Sequence, residues 1–480
     1  MTSHDVLFVG GQWVKPSTAA AIEVRNASTG EHEGTVPEAA EADVDAAVGA
    51  ARRAFDDPAG WSSWPAADRA AALERLATEL ESRAAETGRL VSIQNGMPIA
   101  LSPIIEGMTP VGTLRYMASL LATSPVEEET SRFLGGDLVI RHEPIGVIAG
   151  IVPWNYPQTL SSFKYAPALA AGNTIVLKPS PETVLDSYVF AEAVIAAGIP
   201  AGVVNVVPGG RDIGAYLVQH PYVDKVAFTG STAAGRQIAE VCGRLLRPVS
   251  LELGGKSAAI ILEDADLDLA VIGQNLFSAT LINSGQTCYA STRILAPWSR
   301  YAEIVDTFAA FASSLPVGDA LDPSTLIGPL VAERQRDRVE GYIAKGVSDG
   351  ARLVTGGGRP KGLDRGWFVE PTIFADVDNQ STIAQEEIFG PVLSVIAYTD
   401  EDDAVRIANE SDYGLGGSVW TADRDHALAV IRRVRTGTVG INNYLPDPAG
   451  PWGGVKSSGL GRELGPGAVA AYQNLKTVYA

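Results

Sequence analysis

The sequence is short of the residues that staple or metallate a protein, with two cysteines and five histidines in 480 positions. Cys242 and Cys288 are too few for a disulfide framework, so a conspicuous cysteine must be explained by packing or by reactivity. His4, His32, His142, His220 and His426 are scattered without ligand spacing, which argues against a metal site. Positive charge is also scarce: 37 Lys and Arg face 56 Asp and Glu, and the net charge of -19 repels phosphate backbones and anionic membranes. No run reaches the ~18 apolar residues of a membrane span. The start, MTSHDVLFVGGQWVKPS, has neither the basic head nor the apolar stretch of a signal peptide. The expectation is a cytoplasmic protein that binds neither nucleic acid nor membrane.

What is present suits a globule of several units. Hydrophobic residues make up 46%, charged residues only 19%, and there are 50 glycines, a balance for compact cores crossed by tight turns. Apolar residues recur at helical spacing over 38–55 and 66–89, predicting two amphipathic surface helices. From Val139 to Leu262 short β-rich runs alternate with helical stretches: VIRHEPIGVIAGIV, NTIVLKP, GVVNVVPG, KVAFTG, VSLEL and SAAIIL. Such alternation predicts βαβ units and a mostly parallel sheet. A second alternating block, with ILAPW, LVTGG, FVEPTIFADV, LSVIAYT and SVWTA, reads as another α/β domain. SPVEEETSRFLGGDLVIRHEP and the tail AVAAYQNLKTVYA fit isolated strands that leave their parent domain, although periodicity does not say where they pair.

Several phrases carry chemistry. KVAFTGSTAAG runs from a strand through Gly230 and Ser231 into a helix, whose exposed N–H groups and dipole favour an anion. It is not the G-x-G-x-x-G fingerprint, and alone such a turn is more often a plain connection. Lys178 ends the strand of NTIVLKPS, where a parallel sheet opens onto its ligand crevice and an ammonium can hold ribose hydroxyls. A solvated lysine before a chain-breaking proline is the plainer alternative. Cys288 lies in NSGQTCYAS, a small, polar setting where a thiol can be exposed and its thiolate stabilised by backbone N–H groups. A packing role stays open for it, and is favoured for Cys242 on the helical EVCGRLL. Glu252, followed by two glycines in SLELGGKS, can act as a base on water if burial raises its pKa, or can be a solvated charge. The Asn155 amide in PWNYP can donate to a developing oxyanion.

Together PWNYP, GNTIVLKPS, FTGSTAAG, LELGGKS, GQTC, EEIFGP and KSSGLGRE, in this order between Pro153 and Glu463, resemble the aldehyde dehydrogenase superfamily over essentially the whole chain. The resemblance implies that Cys288 is the nucleophile, Glu252 the general base, and Asn155 with the Cys288 backbone N–H the oxyanion hole. Lys164 and Glu463 relay the proton outward. It implies cofactor contacts at Lys178 on the adenosine ribose, Ser231 on the pyrophosphate, Trp154 and Gly230 along the path, and Glu387 with Phe389 at the nicotinamide. NAD is preferred only as a lean over NADP, because the position three residues after Lys178 is Pro181 rather than glutamate. The glutamate is Glu182, which leaves room for a 2′-phosphate beside Ser180.

The fold implied is a Rossmann-like cofactor-binding domain (1–122 and 143–253), a second α/β catalytic domain (254–447) and a small β arm (123–142 and 466–480) for a homodimer or homotetramer. Retention of Glu252 favours hydrolysis over transfer of the acyl group to coenzyme A. The separation of Glu252 and Cys288, 288 − 252 = 36 residues, implies a small insertion in DLDLAVIGQNLFSATLINSG. Thr287, Tyr289, Phe163 and Trp452 suggest an apolar tunnel without a charged anchor, suited to apolar or aromatic aldehydes. Thr287 lacks the ring that would help to cage a quaternary ammonium.

Overall fold

A computed structural model describes residues 3–123, 125–133 and 135–479; positions 1, 2, 124, 134 and 480, which fall within the terminal and arm segments above, lie outside the described residues. Two large sheets organise the chain. In the first, five parallel strands run in the order Val249–Glu252, Lys225–Thr229, Val147–Ile151, Thr174–Lys178 and Val204–Val206. VIAGI, TIVLK and KVAFT are buried at every position, as strands covered by helices on both faces must be. Antiparallel edges are added by Leu7–Val9 with Gln12–Val14 on one side and by Gly459–Leu460 on the other. The chain advances from Val147–Ile151 through Thr174–Lys178 to Val204–Val206, then returns to place Lys225–Thr229 on the opposite flank of Val147–Ile151. That reversal leaves a crevice at the carboxyl ends of these two strands, the usual ligand position in an open α/β sheet.

The second sheet has seven strands, of which only Arg352–Thr355 is antiparallel to its neighbour. Its strand Ala258–Ile261 follows Glu252 of the first sheet after five residues, so the carboxyl edge of one sheet meets the amino edge of the other at Gly254 and Gly255. A Cβ on Gly255 would stand 2.3 Å from the Cys288 carbonyl, a backbone atom that cannot give way, and one on Gly254 would stand 2.6 Å from a Glu387 carboxylate oxygen, which would have to swing aside. The glycine pair therefore lets residues from three segments converge.

Three details differ from the sequence reading. VIRHEPIGVIAGIV is two strands in two sheets, Asp137–Pro144 and Val147–Ile151, parted at Gly146 with φ +141°. The helical stretch expected over 66–89 is two helices, Ala66–Ser82 and Ala84–Asn95, and the second ends on Gly96 in the left-handed conformation. Unforeseen was the ribbon of Ala21–Arg25 with His32–Pro37. The arm is a three-stranded antiparallel sheet in which Asp137–Pro144 lies between Glu127–Ser131 and the tail strand Gln473–Tyr479. Leu475, Val478 and Tyr479 of that tail strand are exposed. Among the described residues no helix is long and apolar enough to cross a membrane.

Candidate active site

Cys288 is delivered by a strained turn. Asn283 and Ser284 both adopt left-handed backbone (φ 51° and 55°) ahead of Gly285 at φ +72°, a cost accepted only where surrounding bonds overdetermine it. Those bonds are present: Asn283 Nδ2 donates to the Asn155 carbonyl at 2.9 Å, and Ser284 Oγ donates to the Gly328 carbonyl at 2.9 Å. Asn155 in turn donates through Nδ2 to the Gln286 carbonyl at 3.0 Å. Its segment is fixed from the other side, because the Trp154 carbonyl accepts from Asn95 Nδ2 at 3.0 Å and from Thr183 Oγ1 at 3.3 Å. One amide hydrogen of Asn155 therefore locks the nucleophile turn while the segment that carries it is held independently.

The thiol is buried, at 8% exposure, rather than exposed as the sequence suggested. Burial, then the nearby Glu252 and Glu387 carboxylates, push its pKa well above the ordinary value, opposed by the backbone N–H groups of Tyr289 and of Cys288 itself. Glu252 ends its strand with both carboxylate oxygens buried and without a hydrogen-bond partner. Burial, then repulsion from Glu463, hold its carboxyl well above the usual range, with Lys164 and Cys288 acting the other way. Thiol and carboxylate thus sit close enough to perturb one another. Behind them Lys164 Nζ, fully buried, donates to Glu463 Oε1 at 3.0 Å and to Thr229 Oγ1 at 2.6 Å. Glu463 Oε2 has no partner, and its backbone pairs with Trp452 through two bonds of 2.6 and 2.7 Å. All five residues expected to do chemistry are brought into one neighbourhood.

A cleft of about 620 Å³ opens at the strand reversal and is lined by Trp154, Lys178, Ser180, Gly230 and Ser231. Ser231 caps the helix Thr232–Leu245, accepting from Ala234 N at 3.3 Å, so that helix start faces the cleft. Lys178 donates to the carbonyls of Pro179 at 2.9 Å and Gly209 at 2.5 Å, and burial pulls its pKa down to about 8. Glu387 and Phe389 do not line this cleft but adjoin it: Phe389 packs edge-on against Trp154 at 5.3 Å, and Glu387 Oε1 accepts from Gly255 N at 2.9 Å. Burial pushes the Glu387 carboxyl up to about 7. Beside Ser180 the carboxylate is not missing. Glu182 lines the cleft, accepts from the Ser180 hydroxyl and pairs with Arg334, so the space beside Ser180 holds both a carboxylate and a guanidinium.

Cys288 itself lines a second space, a cavity of about 150 Å³, together with Tyr156, Leu160, Phe163, Tyr289 and Trp452. Thr287 is not in the wall; its hydroxyl shares a hydrogen bond of 2.6 Å with Tyr156 and donates to the Ile282 carbonyl at 3.0 Å. Sequence reasoning missed Ile104, Ile105, Leu445 and Pro446, which close the cavity from segments far away in the chain. It also missed Asp447, a charged group in a wall expected to have none. Only Tyr156, inside PWNYP, carried a local signal.

Solved structures match this arrangement over nearly every residue. An aldehyde dehydrogenase of Mycobacterium tuberculosis complexed with NAD+ is 50% identical with a TM-score of 0.97, covering 100% of this chain and 98% of that one. Aldehyde dehydrogenase C of Pseudomonas syringae, a mutant complexed with NAD+ and octanal, is 38% identical with a TM-score of 0.94, covering 99% and 96%. The geranial dehydrogenase of Castellaniella defragrans is 55% identical over 99% of this chain and 98% of its own length. The chain belongs to the aldehyde dehydrogenase family, whose profile spans residues 13–478. It is an aldehyde-oxidising oxidoreductase with the fold of that family.

Proposed function

We propose that the chain oxidises apolar aldehydes to carboxylic acids with NAD, through a covalent thioester on Cys288. The observation that carries this reading is the Cys288 thiol in the wall of an apolar cavity, close to the unpartnered buried carboxylate of Glu252, whose strand end is hydrogen-bonded to Gly230 of the dinucleotide-sized cleft. The cleft suits a dinucleotide: a capped helix start faces it, and Lys178 and Glu182 stand where ribose hydroxyls need a donor and an acceptor. Bound there, the nicotinamide supplies the acceptor for a hydride.

The residues do the rest. At rest the thiol is protonated, and its proton is lost to solvent as sulfur adds to the carbonyl carbon. The free amide hydrogen of Asn155 and the Cys288 backbone N–H stabilise the resulting alkoxide. When the hydride leaves, the C–S bond remains as a thioester. Glu252 in its ionised form then deprotonates a water that attacks the thioester carbon; the C–S bond breaks and the acid departs, the sulfur is reprotonated from solvent, and the proton on Glu252 passes to the Lys164–Glu463 pair and out.

NAD is favoured over NADP because a 2′-phosphate would confront Glu182. Geranial and octanal, named for two relatives, have the apolar tails that the cavity suits. Each methylene buried there contributes about 0.8 kcal/mol, roughly fourfold in kcat/KM. The β arm, with its exposed tail strand, is the surface on which we expect copies of the chain to pair. Octanal and NAD should yield octanoate and reduced cofactor in equal amounts. The Cys288→Ala variant should lose at least about 10³-fold in rate; activity retained by it sinks the covalent route.

A further inference from the structure

The lip of the aldehyde cavity is a π-helical turn, Pro103–Met108, from which Ile104 and Ile105 reach the cavity wall. The next residue of the turn, Glu106, is fully buried at 0% exposure. Its Oε2 accepts from the backbone N–H of Gln158 at 2.7 Å and of Thr159 at 3.3 Å, while Oε1 has no partner. Gln158 and Thr159 open the helix Pro157–Ala170, which supplies Thr159, Leu160 and Phe163 to the same cavity. Thr159 returns one bond, donating through Oγ1 to the Ile105 carbonyl at 2.5 Å. Among the described residues these are the side-chain hydrogen bonds that join lip to helix.

A neutral side chain can cap a helix start at far lower desolvation cost than a buried carboxylate. Burial pushes the Glu106 carboxyl up to about 8, with repulsion from Asp186 adding to it and the Gln158 and Thr159 bonds opposing it. The ionisable groups facing it are Asp186, itself pushed up to about 6 by burial, and the phenols of Tyr156 and Tyr165, both held above their ordinary value by burial. Asn155 does not depend on this bond, since Gln286, Asn283, Asn95 and Thr183 hold its segment.

We infer that Glu106 is a positioning residue that fastens the cavity lip to the helix and so sets selectivity for aldehydes with long apolar tails. This rests on the aldehyde reading of the cavity. The ionised carboxylate accepts charge-assisted bonds from the two N–H groups, roughly twice as strong as those to a neutral acceptor, so the lip is held tighter as pH rises through about 8.

The test compares octanal with acetaldehyde as substrates for the parent enzyme and for Glu106→Gln and Glu106→Ala. At pH 9 the KM of Glu106→Gln for octanal should be about tenfold above the parent's. At pH 7, where the parent carboxyl is mostly protonated, the two should agree within about twofold. Glu106→Ala should raise the octanal KM at both pH values, and neither variant should change kcat with acetaldehyde. Because the folded carboxyl ionises higher than the unfolded one, the parent loses stability as pH climbs through about 8. Glu106→Gln escapes that loss, so its Tm at pH 9 should be no lower than the parent's. Equal losses of kcat with both aldehydes, or an octanal KM in Glu106→Gln that keeps the parent's pH dependence, would overturn the inference. Failure of the function itself reads differently, as absence of NAD-linked oxidation in the parent.

Discussion

The cleft at the strand reversal and the cavity lined by Cys288 are built on opposite principles. The cleft at the strand reversal is wide, about 620 Å³, and polar groups stud it: Lys178, Ser180, Glu182, Ser231 and Arg334. The cavity beyond the thiol is about 150 Å³ and almost wholly apolar, with Asp447 as its one charged lining residue. A cofactor common to many enzymes is recognised by local charges and backbone ends, each contributing modestly. An aldehyde without polar handles is recognised by shape, so everything depends on how the wall is held. Cys288 in the cavity wall, and Glu252 and Asn155, which line neither space, are the residues we propose to act on the bond that changes.

That division orders the expected effects. Asn155→Ala should lower kcat by about 10²- to 10³-fold with little change in the KM for NAD, because the donor acts on the alkoxide and not on the cofactor. Steady-state kinetics with octanal measure it; a loss confined to the KM for NAD would show that the asparagine serves the cleft instead. On the cofactor side, Glu182→Ala should shift the NAD to NADP preference toward NADP by about tenfold, because Arg334 is released from its ion pair where a 2′-phosphate would lie. The ratio of kcat/KM for the two cofactors reads this directly, and an unchanged ratio would remove Glu182 from cofactor choice. Of similar size is the lip effect of Glu106, about tenfold in the octanal KM at pH 9, which should leave NAD binding untouched.

How much of this was legible beforehand follows the same line. Cys288, Glu252, Asn155 and the cleft residues stand in short contiguous phrases, since a turn that presents a thiol or a helix start needs its residues adjacent. Both α/β blocks were legible because buried parallel strands are runs of Val, Ile and Leu broken by helices. The cavity was not. Ile104, Phe163, Tyr289 and Leu445 come from four segments and share a wall only after both sheets have formed. Thr287 neighbours the nucleophile in sequence yet turns to Tyr156 instead of into the cavity. Glu182, displaced by one position, reaches the site beside Ser180 by local chain geometry that no spacing rule captures. The strain at Asn283 and Ser284 gave no signal either, because the residues that hold it are distant in the chain.

The covalent route is tested most directly by mixing Glu252→Gln with NAD and octanal, following reduced cofactor in the first turnover, and weighing the quenched protein. The amide cannot activate water, so the account predicts a burst of one reduced cofactor per active site, slow turnover thereafter, and an octanoyl group on Cys288. Unimpeded steady turnover without a burst, or protein bearing no acyl group, would contradict it.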